Sequence, residues 1–466
     1  MLRFLPKVDQ VLNSLKEDAP HIFKLKAARL AIAEARENIL LGKIKEISKE
    51  ELKEIVLLKA ENYLHKFKQP SLRRVINATG VIVHTNLGRS LLPKEAIDNM
   101  IEVSTSYSNL EYNLEAGKRG IRYSHVVELL CELTGAEDAL VVNNNAAAVL
   151  ISLETLAKGK EVIVSRGELV EIGGSFRIPD VMAKSGAILR EVGTTNRTHL
   201  KDYKNAINQE TAMLLKVHQS NYKILGFTKA VDMEELVELA KKHGLYVMED
   251  LGSGNFIDFS KFGLEYEPTV QEVVRNGVDV VTFSGDKMLG GPQAGIILGK
   301  KDIIEKIKTN PLNRAVRIDK LTLAALESIL RIYLEPEEAI RRIPTLNMIC
   351  LEFDEIKRRA RRLSRRLKKV IPEFLDLKIT ETTSRVGGGA LPICPLKSLA
   401  VSISYKKAPN SSQIPSSVSE LEERLRHTTP PIITRIEEER LLFDVRTLTD
   451  RDYTDITQVL KAVFNS

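Results

Sequence analysis

Cysteine and tryptophan are the residues that this sequence has least of, with three cysteines and no tryptophan among 466 residues. Cys131, Cys350 and Cys394 are widely spaced and form no CxxC pair. This spacing favours neither a disulfide framework nor a cysteine zinc site. It is typical of a protein that works in a reducing cytoplasm.

Long apolar runs are absent as well. No run reaches the ~18 residues that a membrane span needs, and the N-terminal residues show no apolar core followed by a small-residue cleavage site. We therefore expect neither a membrane partner nor a signal peptide. The eight histidines show no HExxH spacing. Neither GxSxG nor a P-loop pattern occurs, and we expect no metal site.

Positive charge is concentrated at the N-terminal end. The net charge of the chain is +7, and residues 1–75 carry 16 lysines and arginines against 10 acidic residues. Leu25, Ala28, Ile32 and Ala35 recur there at helical spacing, with basic residues on the other face. The sequence thus predicts a basic helical domain. Such a domain is typical either of a nucleic-acid partner or of a solvated arm.

The rest of the chain alternates short apolar runs with amphipathic stretches. A strand-like run interrupted by Gly80 is found at 75–85. Further strand-like runs are found at 139–143, 161–165, 187–192, 213–218, 245–250, 278–285 and 294–299. Helices between them, such as 232–244, indicate βαβ units and a mostly parallel sheet covered on both faces. The predicted domains are a helical domain (1–68), a large α/β domain (69–310) and a small α+β domain with linking helices (311–466).

A candidate phosphate site follows the strand predicted at 139–143. Small residues open the next helix, so the backbone N–H groups of Asn145, Ala146 and Ala147 point out of its N-terminus and an anion can approach them. Taken alone, the pattern is more often explained by an asparagine that caps the helix.

Two charged residues follow other predicted strands. Asp250 precedes a Gly-Ser-Gly turn, and Lys287 lies in a Ser/Gly-rich turn. Taken singly, Asp250 is most often a turn residue and Lys287 a solvated one. The order of phosphate site, strand-end Asp and strand-end Lys is, however, that of pyridoxal-phosphate enzymes with the aspartate-aminotransferase fold. There the Asp keeps the pyridine nitrogen protonated and the Lys forms the Schiff base.

Longer motifs carry a more specific resemblance. They are RRVINATGVIVHTNLGRSLLP (73–93), NLEAGKRGIRYSH (113–125), RGELVEIGGSFRIPDV (166–181), VGTTNRTHLKDY (192–203), KVHQSNYKILGFT (216–228), EDLGSGNF (249–256), SGDKMLGGPQAG (284–295) and NRAVRIDK (313–320). The chain resembles the bacterial selenocysteine synthases, the L-seryl-tRNA(Sec) selenium transferases, over essentially its whole length. The implied fold is α/β. It has a large domain of pyridoxal-phosphate fold type I, a small α+β C-terminal domain and a helical N-terminal domain.

The resemblance implies that L-seryl-tRNA(Sec) is converted to L-selenocysteinyl-tRNA(Sec). The seryl hydroxyl leaves by β-elimination to give an aminoacrylyl-tRNA, and selenophosphate supplies selenium to the β-carbon. The implied cofactor is pyridoxal 5'-phosphate, and its binding residues are Lys287, Asp250, Asn145, Ala146, Ala147, Ser284 and His218. Ser220 and Asn221 lie at the same strand end as His218, with no role assigned.

Two phosphate-like anions must bind at the implied site, which calls for the planar fork of arginine. The implied catalytic residues are Lys287, Asp286, Arg89, Arg314 and Arg317, and those for the substrate anion are Arg119, Arg122, Arg314 and Arg317. Three residues apart, Arg314 and Arg317 are expected on one helical turn. Ordinary surface salt bridges are the alternative for these arginines, and a turn is the alternative for Asp286.

The resemblance also gives the basic N-terminal domain a use, because this family recognises its tRNA with it. The candidate contacts are Lys24, Lys26, Arg29 and Arg36. A predicted helix at 356–369 with nine basic residues is either a second phosphate-contacting face or a solvated one. A homo-oligomer is implied, built as a ring of dimers and expected to be a decamer. We expect no DNA partner.

Three other functions compete with this interpretation. A small-molecule ammonia-lyase of the same fold shares several motifs but should lack the basic helical domain. An RNA-binding relative without catalysis is disfavoured by intact Lys287 and Asp250. A cysteine desulfurase needs a catalytic cysteine in a mobile Gly/Ser-rich segment, and none of the three cysteines lies in one.

Overall fold

A computed structural model describes residues 2–45, 47–172, 176–219, 222–391, 394–407 and 414–465. Ser220 and Asn221 therefore lie outside the described residues. The chain divides into two compact units, Met1–Arg74 and Val75–Ser466, and the three-domain division made from the sequence stays a prediction. Within the described residues, no helix is long and apolar enough to cross a membrane.

The α-helices are numbered in chain order. They are α1 Val8–Ser14, α2 His21–Leu40, α3 Lys49–Lys68, α4 Lys94–Thr105, α5 Ser124–Thr134, α6 Asn145–Ala157, α7 Ile178–Ser185, α8 Leu200–Ala206, α9 Met233–His243, α10 Val270–Arg275, α11 Lys301–Thr309, α12 Leu312–Ala315, α13 Lys320–Tyr333, α14 Pro336–Arg342, α15 Pro344–Ile349, α16 Phe353–Leu367, α17 Val418–Arg426 and α18 Asp450–Asn465.

The strands are numbered in the same way. They are β1 Ile76–Asn77, β2 Tyr112–Asn113, β3 Lys118–Arg119, β4 Asp138–Val142, β5 Glu161–Ser165, β6 Glu171–Ile172, β7 Phe176–Arg177, β8 Ile188–Val192, β9 Thr211–Val217, β10 Tyr246–Gly252, β11 Val280–Ser284, β12 Gly295–Gly299, β13 Leu375–Ser384, β14 Leu396–Tyr405, β15 Ile432–Ile433, β16 Arg435–Glu437 and β17 Arg440–Asp444.

The N-terminal unit is helical, as predicted. A capping box at Ser48 and Glu51 starts α3, which satisfies N–H groups that the first turn leaves free. Helices α2 and α3 pack through small and aliphatic side chains that are fully buried. These side chains are Ala27, Ala28, Ala31, Ala35, Leu52, Val56, Ala60 and Leu64.

Seven of the described strands form the large sheet, in the order β4-β12-β11-β10-β9-β5-β8. The pairs from β11 to β8 are parallel, and β12 runs antiparallel to both of its neighbours. The mostly parallel sheet predicted from the alternating pattern is confirmed. Its parallel strands end at one edge, where open α/β sheets place their ligands.

Residues 75–85 are interrupted at Gly80, as the sequence predicts, and they do not belong to the large sheet. Ile76–Asn77 pairs in parallel with Ile432–Ile433 rather than with the large sheet. After Gly80, Val81 forms an isolated parallel bridge with Arg385. Gly80 turns the chain at φ +76°, and a Cβ there would lie 2.1 Å from Asp444 Oδ2. The apolar run therefore ends as a strand after two residues because the turn at Gly80 redirects it.

A second sheet, in the order β13-β14-β17-β16, is antiparallel throughout. Helix α16 covers it with Ile356, Ala360, Leu363 and Leu367, all fully buried. These four residues form an apolar stripe along the helix, and its arginines and lysines lie outside that stripe.

Candidate active site

Asp250 and Asn145 meet at the carboxyl edge of the large sheet. Asp250 is 2% exposed, and its Oδ1 atom accepts hydrogen bonds from Asn145 Nδ2 at 2.8 Å and from Thr282 Oγ1 at 3.2 Å. Burial raises the pKa of Asp250, while Asn145, Lys287, Thr282 and the Gly252 amide act in the opposite direction. A buried carboxylate of this kind is stabilised by a cationic partner.

Lys287 lies in the turn that follows β11 and is 3% exposed. The Ser90 hydroxyl donates to the backbone oxygens of Asp286 and Lys287, both at 2.8 Å, which fixes this turn. Burial lowers the pKa of Lys287, Asp250 raises it and Arg89 lowers it further. A lysine with a lowered pKa offers more neutral amine for attack on a carbonyl group.

Asp286 is clamped by Arg89 rather than left free in its turn. The Nη1 atom of Arg89 donates to both Asp286 carboxylate oxygens, at 3.0 and 2.9 Å. Arg89 holds a left-handed backbone conformation at φ 62°, which is uncommon for a residue with a side chain. Both residues line an open cavity of about 430 Å³, so the predicted pair stands beside Lys287.

The helix α6 offers fewer free amides than the sequence predicts. Asn144 caps it, and its Oδ1 atom accepts the hydrogen bond of the Ala147 amide at 2.9 Å. The prediction that Ala147 presents a free N–H is therefore wrong, because the asparagine cap uses that group. The amides of Asn145 and Ala146 have no partner within the helix. Gly295 packs so closely against the start of this helix that a Cβ atom would lie 2.1 Å from the backbone oxygen of Asn144.

His218 and Ser284 lie beside these residues. The His218 amide donates to the Asp250 backbone oxygen at 2.9 Å, and Ser284 ends β11 with 6% exposure. Burial, Lys216 and Lys287 lower the pKa of His218 to about 4. The imidazole is therefore neutral at physiological pH, and its Nδ1 atom has no partner among the described residues.

Three predicted anion-binding arginines converge on one carboxylate that the sequence did not single out. Glu111 pairs with Arg122 at 2.8 Å, Arg317 at 3.3 Å and Arg119 at 3.6 Å. The hydrogen bond from Arg122 is the largest cause that lowers the pKa of Glu111. These arginines are thus held together by an acid that an incoming anion would have to displace or share.

Arg314 and Arg317 do not share a helical turn, and that prediction is wrong. Helix α12 ends at Ala315, the Asn143 amide donates to the Val316 oxygen at 3.0 Å, and Arg317 forms a bridge with Val142. Residues 316–317 therefore pair with the end of β4 and do not continue the helix. Arg317 lies near the start of α6, and Arg314 is exposed on α12.

The N-terminal candidates for RNA contact lie on α2. Arg29 and Arg36 are exposed, and the Lys26 ammonium lies 4.9 Å from the centre of the Phe67 ring. Lys24 is half-buried and its charge acts on Glu17. At 100° per residue, Lys26, Arg29 and Arg36 fall on one side of the helix and Lys24 does not.

Comparison with known proteins agrees with this geometry. The family model SelA, described as L-seryl-tRNA selenium transferase, matches residues 75–449. The chain belongs to that family. It is 54% identical to the L-seryl-tRNA(Sec) selenium transferase of Maridesulfovibrio salexigens over 97% of both chains. It is 52% identical to that of Desulfotalea psychrophila over 100% of this chain and 98% of the relative. The resemblance inferred from the motifs is confirmed.

A solved structure shows the same fold. The structure of D-glucosaminate-6-phosphate ammonia-lyase superposes with a TM-score of 0.58 and 20% identity, covering 86% of this chain and 98% of that one. The fold class that the sequence predicted for this selenium transferase family member, α/β of pyridoxal-phosphate fold type I, is confirmed.

Sequence reasoning missed several buried groups around the site. Glu267 is 4% exposed. Burial raises its pKa, while Ser253 and the Leu391 backbone act in the opposite direction. Glu168 and Glu249 are buried on either side of Lys216, and burial raises the pKa of each to about 7. Only the position of Glu249 next to Asp250, at a strand end, gave a signal that the sequence could have used.

Glu168 and Glu249 give the folded protein a pH dependence. The unfolded pKa is near the ordinary value of 4.5, so as pH rises the unfolded chain ionises first. The free energy of unfolding should therefore fall between pH 4.5 and about 7, by on the order of 3 kcal/mol for one such group. Glu168→Gln and Glu249→Gln remove that fall.

The measurement is the thermal unfolding temperature at pH 5 and pH 8, followed by circular dichroism. At pH 8 each variant should unfold at a higher temperature than the unsubstituted protein, and at pH 5 it should not. The control is Glu210→Gln, whose side chain is 64% exposed and pairs with Lys160. Equal pH slopes in all four proteins would contradict the expected effect.

Proposed function

We propose that this protein is a pyridoxal-phosphate enzyme that converts L-seryl-tRNA(Sec) to L-selenocysteinyl-tRNA(Sec), with selenophosphate as the selenium donor. The observation that carries the proposal is the 54% identity with a selenium transferase over 97% of the chain. Full-length identity at this level supports the transferase over the small-molecule ammonia-lyase, whose likeness to this chain is one of fold.

The described residues fit the cofactor. Asn145 Oδ1 and His218 Nδ1 are buried without partners among the described residues, and Asp250 is a buried carboxylate on which the charge of Lys287 acts. Asp250 would hold the protonated pyridine nitrogen. The Asn145 and Ala146 amides, with Ser284, would hold the phosphate, and His218 would pack on the ring. When bound, the cofactor supplies an electron sink for negative charge at the seryl Cα.

The chain's own residues carry out the remaining steps. Lys287 Nζ takes the proton from the seryl Cα and returns a proton as the hydroxyl leaves as water. Arg89 holds the Asp286 carboxylate in place next to Lys287. The charge of Asp286 raises the pKa of Lys287, which favours a proton on the lysine after that transfer. We assign Arg119, Arg122, Arg314 and Arg317 to the selenophosphate anion, because a second anion relieves repulsion among guanidinium groups.

The tRNA would be held mainly by the N-terminal unit. We assign Lys26, Arg29 and Arg36 to its phosphates because they share one side of α2, and Lys24 to the adjoining face. Contacts of this kind neutralise phosphates and weaken as salt is added. We also propose a homo-oligomer, a ring of dimers with a decamer as the expected size.

The proposal is tested by selenium transfer. The purified protein, loaded with pyridoxal phosphate, receives seryl-tRNA(Sec) and selenophosphate that carries radioactive selenium. The label should appear in an amino acid released from the tRNA by mild base and should co-migrate with selenocysteine. Label that stays in free selenophosphate would overturn the proposed function.

Glu267 provides a further prediction for this reaction. Its carboxyl group is buried, burial raises its pKa, and its charge raises the pKa of Lys287. A group of this kind can exchange a proton with Lys287. Glu267→Gln should lower turnover by about 100-fold and shift the pH profile of turnover, while the cofactor still binds.

The matched control is Glu265→Gln, two residues away and half-buried, where the carboxylate pairs with Lys223. Turnover and pH profile should be unchanged in this variant. If Glu267→Gln and Glu265→Gln behave alike, Glu267 has no part in proton transfer.

A further inference from the structure

A second cavity lies away from the residues assigned above. It measures about 420 Å³ and lies between α15, α16 and the segment that leads from β17 into α18. The residues of its lining that matter here are Arg359, Arg362, Arg446, Asp450 and Tyr453. Three arginines around one cavity are a typical binding arrangement for an oxyanion.

Arg446 is a buried cation whose guanidinium group donates to backbone oxygens rather than to a carboxylate among the described residues. It is 3% exposed. Its Nη1 and Nη2 atoms donate to the backbone oxygens of Met348 and Lys397, both at 2.7 Å, and it forms no salt bridge with any described residue. Its Nε atom is buried and also lacks a partner there. A buried charge of this kind is costly unless an anion balances it.

Arg359 stands close to Arg446 and increases this excess of positive charge. Burial lowers the pKa of Arg446, Asp444 raises it, and the charge of Arg359 lowers it. The Nε atom of Arg359 donates to Glu355 at 3.1 Å, and Glu355 also pairs with Arg358 at 2.8 Å. One glutamate thus serves two arginines, which leaves the cavity with a net positive wall.

Tyr453 adds a neutral donor. It is 1% exposed, and its hydroxyl is buried without a partner among the described residues. Burial raises the pKa of Tyr453, Arg359 and Arg362 lower it, and Asp450 and Glu355 raise it. At the rim, Arg362 pairs with Asp450, and these side chains are 48% and 71% exposed, so the cavity has an ion pair at its mouth and unused donors at its base.

We propose that this cavity is a second anion site, which binds a phosphate group between Arg359, Arg446 and Tyr453. The phosphate oxygens accept from the guanidinium groups and from the tyrosine hydroxyl, and balance the buried charge of Arg446. The group belongs either to free phosphate or a small phosphate ester, or to the backbone of an RNA. The chemistry of recognition is the same in both cases. This site stands independently of the proposed transferase reaction.

The test measures binding of radioactive inorganic phosphate to the full-length protein, loaded with pyridoxal phosphate, by equilibrium dialysis. Arg359→Gln and Tyr453→Phe should each remove one saturable class of phosphate, or weaken it about tenfold or more. Tyr453→Phe deletes only an unpartnered hydroxyl, so it keeps the fold if Arg359→Gln does not.

Arg358→Gln is the matched control. Arg358 neighbours Arg359, pairs with the same Glu355 and is 69% exposed, but it does not line the cavity. Arg358→Gln should keep the saturable class of bound phosphate that Arg359→Gln and Tyr453→Phe lose. Anions bound at the active-site arginines are unaffected by all three substitutions and appear as a constant background.

Unfractionated tRNA distinguishes the two sources of phosphate. If tRNA competes for this class in the unsubstituted protein, and Arg359→Gln binds tRNA more weakly than Arg358→Gln, the group belongs to RNA. If tRNA leaves the class unchanged, the ligand is free phosphate or a small ester. Phosphate binding that is the same in Arg359→Gln, Tyr453→Phe and Arg358→Gln shows a cavity filled with water only and overturns the proposal.

Discussion

Lys287→Ala should reduce selenium transfer by about 1,000-fold or more, because it removes the amine to which we assign proton transfer at the seryl Cα. The Lys287 side chain is buried. The charges that act on it are those of Asp250, Arg89, Asp286 and Glu267, so we assign it no structural role. The measurement is turnover with seryl-tRNA(Sec), together with the absorbance of the bound cofactor.

Lys158→Ala is the control for this variant. Lys158 is 68% exposed and pairs with Glu154 one helical turn away, so its loss should leave turnover unchanged. The cofactor band that a lysine linkage produces should vanish in Lys287→Ala alone. Turnover within tenfold of the unsubstituted protein would show that another group moves the proton.

Asp250→Asn should lower turnover by about 100-fold or more, because a neutral amide cannot hold the pyridine nitrogen in its protonated form. The fold should survive. Burial raises the pKa of Asp250, so removal of the charge should stabilise the folded state. The amide oxygen of the asparagine can still accept hydrogen bonds from Asn145 and Thr282.

Stability separates this catalytic role from a structural one. The thermal unfolding temperature of Asp250→Asn should equal or exceed that of the unsubstituted protein while turnover falls. Asp279→Asn should instead lower the thermal unfolding temperature and leave turnover unchanged. Asp279 accepts from the Val247 amide at 2.7 Å and pairs with Lys300 at 2.6 Å. A loss of stability in Asp250→Asn equal to that in Asp279→Asn would assign Asp250 to the fold.

The sequence predicted the large sheet well because its strands are apolar runs bounded by glycine or by helix. The run at 161–165 matches β5 residue for residue, and the helix at 232–244 is present as Met233–His243. The sequence predicted that Gly80 interrupts the run at 75–85, but not that the turn lies against Asp444, which is more than 360 residues away in sequence.

The site was predictable in its strand ends and not in its side-chain partners. Asp250, Lys287 and Asn145 follow from the strand-end rule. The bond from Asn145 to Asp250, the use of the Ala147 amide by Asn144, and the gathering of arginines at Glu111 depend on three-dimensional geometry. Glu267 carried no signal, because a single glutamate in a loop gives no sign of its burial.

The central claim is that this protein acts on serine only when the serine is attached to tRNA(Sec). The most direct measurement supplies radioactive selenophosphate together with either seryl-tRNA(Sec) or free serine, at equal concentrations of seryl groups. The account predicts labelled selenocysteine from seryl-tRNA(Sec) and none above the Lys287→Ala background from free serine. Labelled product from free serine at a similar rate, or none from seryl-tRNA(Sec), would contradict it and point to a small-molecule lyase.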